Sequence, residues 1–224
     1  MNFLSKLDLL SRFQNKSVAI VGSGPGSLQN SIGFVDAHDV VVRANNYKLS
    51  SNSGFRTDVH YSFYGSSIRK TVEELKRDGV TLCMCKCPND QPIESEWHRK
   101  KDKLHGIDFR PIYRRRSDFW FCDTYIPSSA DFVATFNLLG KHIPTTGFAA
   151  IIDIMSLKPS SIYLTGFDFF SSKIHNVNEP WRHKNPDDPI GHDPQREMAW
   201  LQAHKAQFLF DPALQRLLAA RKAA

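Results

Sequence analysis

The chain has 224 residues, 41% hydrophobic and 23% charged, an ordinary globular composition that excludes a disordered or fibrous protein. The length suits one domain with a substantial core. Lysine and arginine (29) outnumber aspartate and glutamate (23), a net +6, so an anionic partner such as nucleic acid, a nucleotide or a membrane surface is expected, and no run of eighteen apolar residues spans a membrane as a helix.

Residues 1–13 are amphipathic, with Leu4, Leu7, Leu9, Leu10 and Phe13 interrupted by Lys6, Asp8 and Arg12, and carry no signal-cleavage pattern. Lys16–Val21 reads as a short buried strand, apolar, β-branched and closed by glycine. Gly22-Ser-Gly-Pro-Gly-Ser27 follows. His38–Arg43 and Asp58–Tyr64 read as the second and third strands. Ile68, Val72 and Leu75 share one face of a helix expected over 66–78, stopped by Gly79. Val80–Cys87 reads as the fourth strand, and its alternation puts Cys83, Cys85 and Cys87 on one face. Thiols two apart on a strand suit a disulfide poorly, and no second metal-spaced pair occurs. With Cys122 they are expected to be reduced.

Residues 88–127 read as irregular and charged, with basic clusters at Arg99–Lys103 and Arg114–Arg116. Ser128 or Ser129 caps a helix through Leu139, and a second helix covers 147–157. Ser161–Gly166 is a further buried strand. Residues 171–193, rich in Pro, Asn, Asp and His, read as a long loop. Asp193-Pro194 starts a helix to about Phe210, and Asp211-Pro212 a last one to the C-terminus. Strands alternating with helices predict an α/β fold: a single domain over 1–224 with a doubly wound, mostly parallel, Rossmann-like sheet and a small lid at about 169–193.

Four segments carry candidate chemistry. The glycine turn lets backbone approach a phosphate, and a helix starting after it would add amide donors. The dinucleotide fingerprint is incomplete, because Ser27 stands where its third glycine belongs and no acid ends the second strand. Arg43 stands there instead and suits a 2′-phosphate, which keeps an NADP-dependent oxidoreductase as the alternative. Asn45 and Asn46 end the second strand, at the edge where open α/β sheets bind ligands, although Asn also favours plain turns. Pro144-Thr-Thr-Gly147 opens a helix, where Thr145 and Thr146 either cap it or bind a polar or anionic ligand. His192 is either a general base or a solvated loop histidine, with Glu197 five positions on in reach of it or of a substrate. Asp-x-Asp, His-Glu-x-x-His and the phosphate-binding Gly-x-x-x-x-Gly-Lys-Ser/Thr do not occur.

In this order the four segments resemble the sialyltransferases, glycosyltransferase families 29 and 42. Val18–Leu28 and Val35–Asn45 resemble the two ends of their large motif. Pro144–Gly147 through Ile162–Asp168 resembles the small motif, and His192 with Glu197 the very small motif. The resemblance implies a GT-A-like variant of the fold and a CMP-activated donor, with Gly22, Ser23 and Gly24 beneath it and Asn45 on its nucleotide or sugar. It implies Thr145, Thr146 and Gly147 on the sugar carboxylate or cytidine, Gly166 and Asp168 shaping the cytidine pocket, and His192 as general base. Ser23 replaces the usual Asn. Phe170 stands where family 42 carries a Tyr on the leaving phosphate, so His175 or His183 is the candidate substitute.

The reaction so implied is an inverting transfer of a sialic acid, Kdo or a related ulosonic acid to a glycan hydroxyl. It uses no cofactor and no metal, since one phosphate develops less charge than two and paired carboxylates are missing. The expected setting is a bacterial-type cytoplasmic enzyme without anchor or stem, acting in lipopolysaccharide or capsule synthesis on an acceptor that is lipid-linked in one version. The basic clusters would then meet an acidic membrane peripherally or lie solvated. Nucleic acid is not an expected partner, because stacking aromatics and a recognition-helix pattern are missing.

Overall fold

The computed structural model describes residues 2–65, 68–90, 110–115, 117–171, 174–175, 179–180 and 192–220. Helix α1 (Lys6–Phe13) opens on a capping box between Ser5 and Asp8, and buries Leu9 and Phe13. Strand β1 (Ser17–Val21) is buried on both faces, as a continuous apolar run requires in a parallel sheet. Then come β2 (Val40–Ala44), β3 (Val59–Ser62), α2 (Val72–Arg77), β4 (Leu82–Cys85), α3 (Arg110–Arg115) and β5 (Asp123–Tyr125). The second half supplies α4 (Ser129–Leu138), α5 (Thr146–Ser156), β6 (Ser161–Thr165), β7 (Ile174–His175), β8 (Glu179–Pro180), α6 (Pro194–Ala203), β9 (Leu209–Phe210) and α7 (Pro212–Ala220).

Seven strands form one sheet in the order β5-β4-β3-β2-β1-β6-β9, with every pairing parallel. The chain winds outward from β1 to β5, then returns to lay β6 and β9 on the other side of β1. The reversal between β1 and β6 is the switch point at which such sheets open a crevice. One face packs Leu9, Phe13, Ile154, Leu201 and Leu214 onto Val18, Ile20, Leu82 and Met84. The opposite face packs Leu75, Phe132 and Phe136 around Cys83, Cys85 and Cys87, all free thiols. Strands β7 and β8 pair antiparallel apart from the sheet. No helix among the described residues is long and apolar enough to cross a membrane.

Four expectations change. The helix expected over 66–78 is preceded by Thr71, whose hydroxyl and the Glu74 carboxylate form a reciprocal cap. The helix expected to reach Phe210 ends at Ala203, where His204 Nδ1 lies 2.7 Å from the Trp200 carbonyl. Beyond it Leu209–Phe210 pairs with β6. The segment read as irregular contains α3 and the edge strand β5. Finally, no α-helix follows the glycine turn: Pro25–Gln29 is a 3₁₀ turn without a side-chain cap.

The ladder between β1 and β6 continues into glycine. Gly22 N–H donates to the Thr165 carbonyl and Gly24 N–H to the Gly166 carbonyl, both at 2.8 Å. A Cβ on Gly22 would lie 2.4 Å from the Gly166 oxygen, and Gly166 itself has φ 73°. Two backbones touch here, so neither can retreat. Gly22→Ala is expected to cost about 3 kcal/mol, lowering Tm by roughly 6–12 °C. Thermal denaturation within 2 °C of wild type would show that this approach is not a constraint.

Candidate active site

The crevice at the ends of β1 and β6 gathers several expected residues. Gly22 and Gly24 face Gly166, and an added Cβ on Gly24 would also lie 3.2 Å from the Asp168 carboxyl carbon. Ser23 sits between the two glycines, half-buried. Phe167 joins the crevice to the start of α5: its ring would lie 3.4 Å from a Cβ on Gly22 and 2.7 Å from one on Gly147. Asp168 accepts the Phe170 N–H at 3.1 Å. Phe169 and Phe170 then adopt φ of 49° and 60°, a backbone region costly for bulky side chains and often held at functional sites.

Asp211 secures this corner from below. Fully buried, it accepts Gly166 N–H at 2.8 Å on one oxygen and Leu214 N–H at 2.7 Å on the other. It therefore caps α7 and fixes the backbone of the crevice together. From sequence Asp211 reads only as a helix cap.

A second set lies where α5 starts. Thr145 is its N-cap: the hydroxyl accepts Phe148 N–H at 3.1 Å. The same hydroxyl donates to Glu197 Oε2 at 2.8 Å, and Thr145 N–H donates to Glu197 Oε1 at 2.5 Å. Thr146 is the first residue of the helix, half-buried, and Gly147 the second. Glu197 stands in the first turn of α6 and is 1% exposed. Burial pushes its carboxyl up to about 7, opposed by the two Thr145 hydrogen bonds and by the Lys86 ammonium, itself buried. His192 lies just before α6, and its Nδ1 is 2.8 Å from the Ile143 carbonyl. A carbonyl only accepts, so Nδ1 carries the proton and the neutral ring is basic at Nε2. Glu197 thus meets Thr145, and His192 meets Ile143: the first turn of α6 and the segment leading into it clamp residues 143–145 twice.

Asn45 directly follows β2 with φ 52°, a left-handed turn that Asn tolerates. Its Oδ1 accepts the Ser62 hydroxyl at 3.2 Å, and its carbonyl lies 2.9 Å from His60 Nε2. His60 is buried, and desolvation lowers it to about 4, so it is neutral at pH 7 and donates from Nε2. Tyr64 O–H closes the network on His60 Nδ1 at 3.1 Å. His60, Ser62 and Tyr64 fall within the third expected strand, and nothing in their spacing marks them as supports of Asn45.

Arg43 departs from its expected role as a 2′-phosphate ligand. It is 0% exposed. Its Nε donates to the Arg56 carbonyl at 3.1 Å and the Thr57 hydroxyl at 3.0 Å, and an Nη to the Ser53 carbonyl at 2.7 Å. The guanidinium pins the 53–57 loop and presents nothing to a cofactor. His175 is the second residue of β7, and its side chain lies outside the described residues, as do His183, the Arg99–Lys103 cluster, Arg116 and most of the expected lid. No group of three His, Cys, Asp or Glu is placed to hold a metal among the described residues.

No protein-family model matches the chain, and no curated protein is similar to it. Solved structures are. The monofunctional α-2,3-sialyltransferase Cst-I from Campylobacter jejuni is 13% identical with a TM-score of 0.55, over 96% of this chain and 84% of that one. The sialyltransferase CstII from Campylobacter jejuni, solved with the substrate analogue CMP-3FNeuAc, is 16% identical with a TM-score of 0.53, over 89% and 88%. A mammalian sialyltransferase is 17% identical with a TM-score of 0.50, over 87% and 68%. The seven-stranded all-parallel α/β sheet is therefore the fold that this chain shares with bacterial and mammalian sialyltransferases.

Proposed function

We propose that the protein is an inverting glycosyltransferase that moves a sialic acid or a related ulosonic acid, such as Kdo, from CMP to a glycan hydroxyl. The observation that carries this reading is the double clamp at the start of α6 on the 143–145 segment, with the His192 ring oriented by a carbonyl. Nε2 takes the proton of the acceptor hydroxyl as its oxygen bonds to the anomeric carbon. The bond from that carbon to the CMP phosphate breaks on the opposite face, and CMP leaves with the electron pair. The Gly22–Gly24 turn, Ser23, Gly166 and Asp168 floor the donor site, with Asn45, Thr145, Thr146 and Gly147 beside it. His175 is the proposed partner of the departing phosphate, and positioning supplies much of the remaining rate. The acceptor is a surface glycan, lipid-linked where the basic clusters approach a membrane.

The test is a donor panel read as released CMP. CMP-sialic acid or CMP-Kdo is expected to turn over with acceptor present, and EDTA is expected to leave the rate within twofold. Release from neither donor, together with thermal stabilisation by NADPH and not by CMP, would return the oxidoreductase reading. The burial of Arg43 argues against that outcome.

A further inference from the structure

Beside Asn45 lies a cleft of about 510 Å³ that no step above uses. It begins one residue further on: the Asn46 Oδ1 at its rim accepts Arg69 N–H at 2.7 Å. Its floor is a buried network. Asp78 Oδ2 accepts the Tyr47 hydroxyl and the Lys70 ammonium, both at 2.8 Å, and the Lys70 nitrogen lies 4.1 Å above the Tyr47 ring centre. Lys70 and Asp78 side chains are 13% and 6% exposed, so this floor is fixed rather than solvated.

Charge distinguishes the cleft. Two carboxylates line it, and both are engaged: Asp78 by Tyr47 and Lys70, Glu74 by Thr71 N–H at 2.8 Å in the cap of α2. The other charged lining groups are cationic. Lys48 and Arg69 are exposed, and Arg77 is 73% exposed, reaching Asp78 only at 4.0 Å. A concavity of this size holds one or two sugar rings, and guanidinium and ammonium groups on its rim select carboxylate or phosphate oxygens.

We infer that this cleft is an acceptor subsite for an acidic glycan, its Lys48 and Arg77 rim binding a carboxylate or phosphate on the sugar next to the attacked hydroxyl. The inference rests on the glycosyltransferase reading, because it is Asn45 that puts the cleft beside the donor. Carboxylate and phosphate share this chemistry, and separate substrates tell them apart.

The experiment compares lactose, sialyllactose and a phosphorylated lactose as acceptors for the intact protein and for Lys48→Gln/Arg77→Gln. Wild type is expected to favour one acid over lactose in kcat/KM. The double variant is expected to lose about tenfold of that ratio, the scale of two solvent-facing charge-assisted contacts, and salt is expected to erode it likewise. Whichever acid shows the preference names the group. An unchanged ratio, or a rise in donor KM in its place, overturns the subsite. Binding of both acids is also titrated without donor. Should no CMP donor turn over, the function above fails, and this titration alone decides: a Kd weakened about tenfold in the double variant upholds the cleft, and an unchanged Kd overturns it.

Discussion

Replacing His192 with alanine is expected to lower transfer from the CMP donor by about 10²–10⁴-fold, the usual contribution of a positioned base. CMP is expected to stabilise the variant as it does wild type, because the proposed donor floor lies at the ends of β1 and β6, away from His192. Alanine alone does not separate catalysis from packing, since it also deletes the hydrogen bond to the Ile143 carbonyl. His192→Asn does. Its amide N–H occupies the place of Nδ1–H and keeps the clamp, but it offers no base at the position of Nε2. Asn is therefore expected to be as slow as Ala, measured as initial rates of CMP release with saturating donor. A rate for Asn within tenfold of wild type would assign His192 to positioning and leave the base elsewhere.

The glycine turn, the end of β2, the start of α5 and the start of α6 are legible one by one, because each combines a buried apolar run with residues that break it. Their meeting is not legible. Gly22 and Gly166 touch across 144 positions of chain through backbone alone, and such a contact demands glycine at each position without showing which glycine is its partner. Glu197 reads as a residue near His192 on the sequence, yet its hydrogen bonds go to Thr145, 52 residues earlier. Asp211 behaves alike: a cap for its own helix and, 45 residues away, an anchor for Gly166.

Short elements escape for a different reason. Strand β5 has three residues and β9 two, fewer than a period-2 pattern needs to stand out. Arg43 misleads because arginine at a strand end is usually exposed, and only the fold of the 53–57 loop turns three acceptor oxygens toward it.

Glu197 gives the clamp a pH signature. Burial raises its carboxyl to about 7 in the folded protein, whereas the unfolded chain releases that proton near the ordinary glutamate value. Between those limits unfolding therefore releases a proton, so stability falls as pH rises from about 4.5 to about 7 and is level above, a loss on the order of 3 kcal/mol. Asp153, hydrogen-bonded by Tyr61 and likewise raised to about 7 by burial, slopes the same way. The difference between wild type and Glu197→Gln therefore isolates Glu197. The amide is neutral throughout and keeps partners for Thr145, so Gln is expected to gain on wild type across that window in urea midpoints at matched pH. Parallel curves would mean that Glu197 is ionised in the fold and fully paid by Lys86 and Thr145. Glu197→Ala strands the Thr145 N–H and is expected to be about 1–3 kcal/mol less stable than Glu197→Gln at every pH. It also loosens the segment whose Ile143 carbonyl aims His192, so transfer is expected to fall by at least about tenfold, as small misplacements of a reacting group do. Gln is expected to restore most of that rate, which removal of a catalytic acid would not allow.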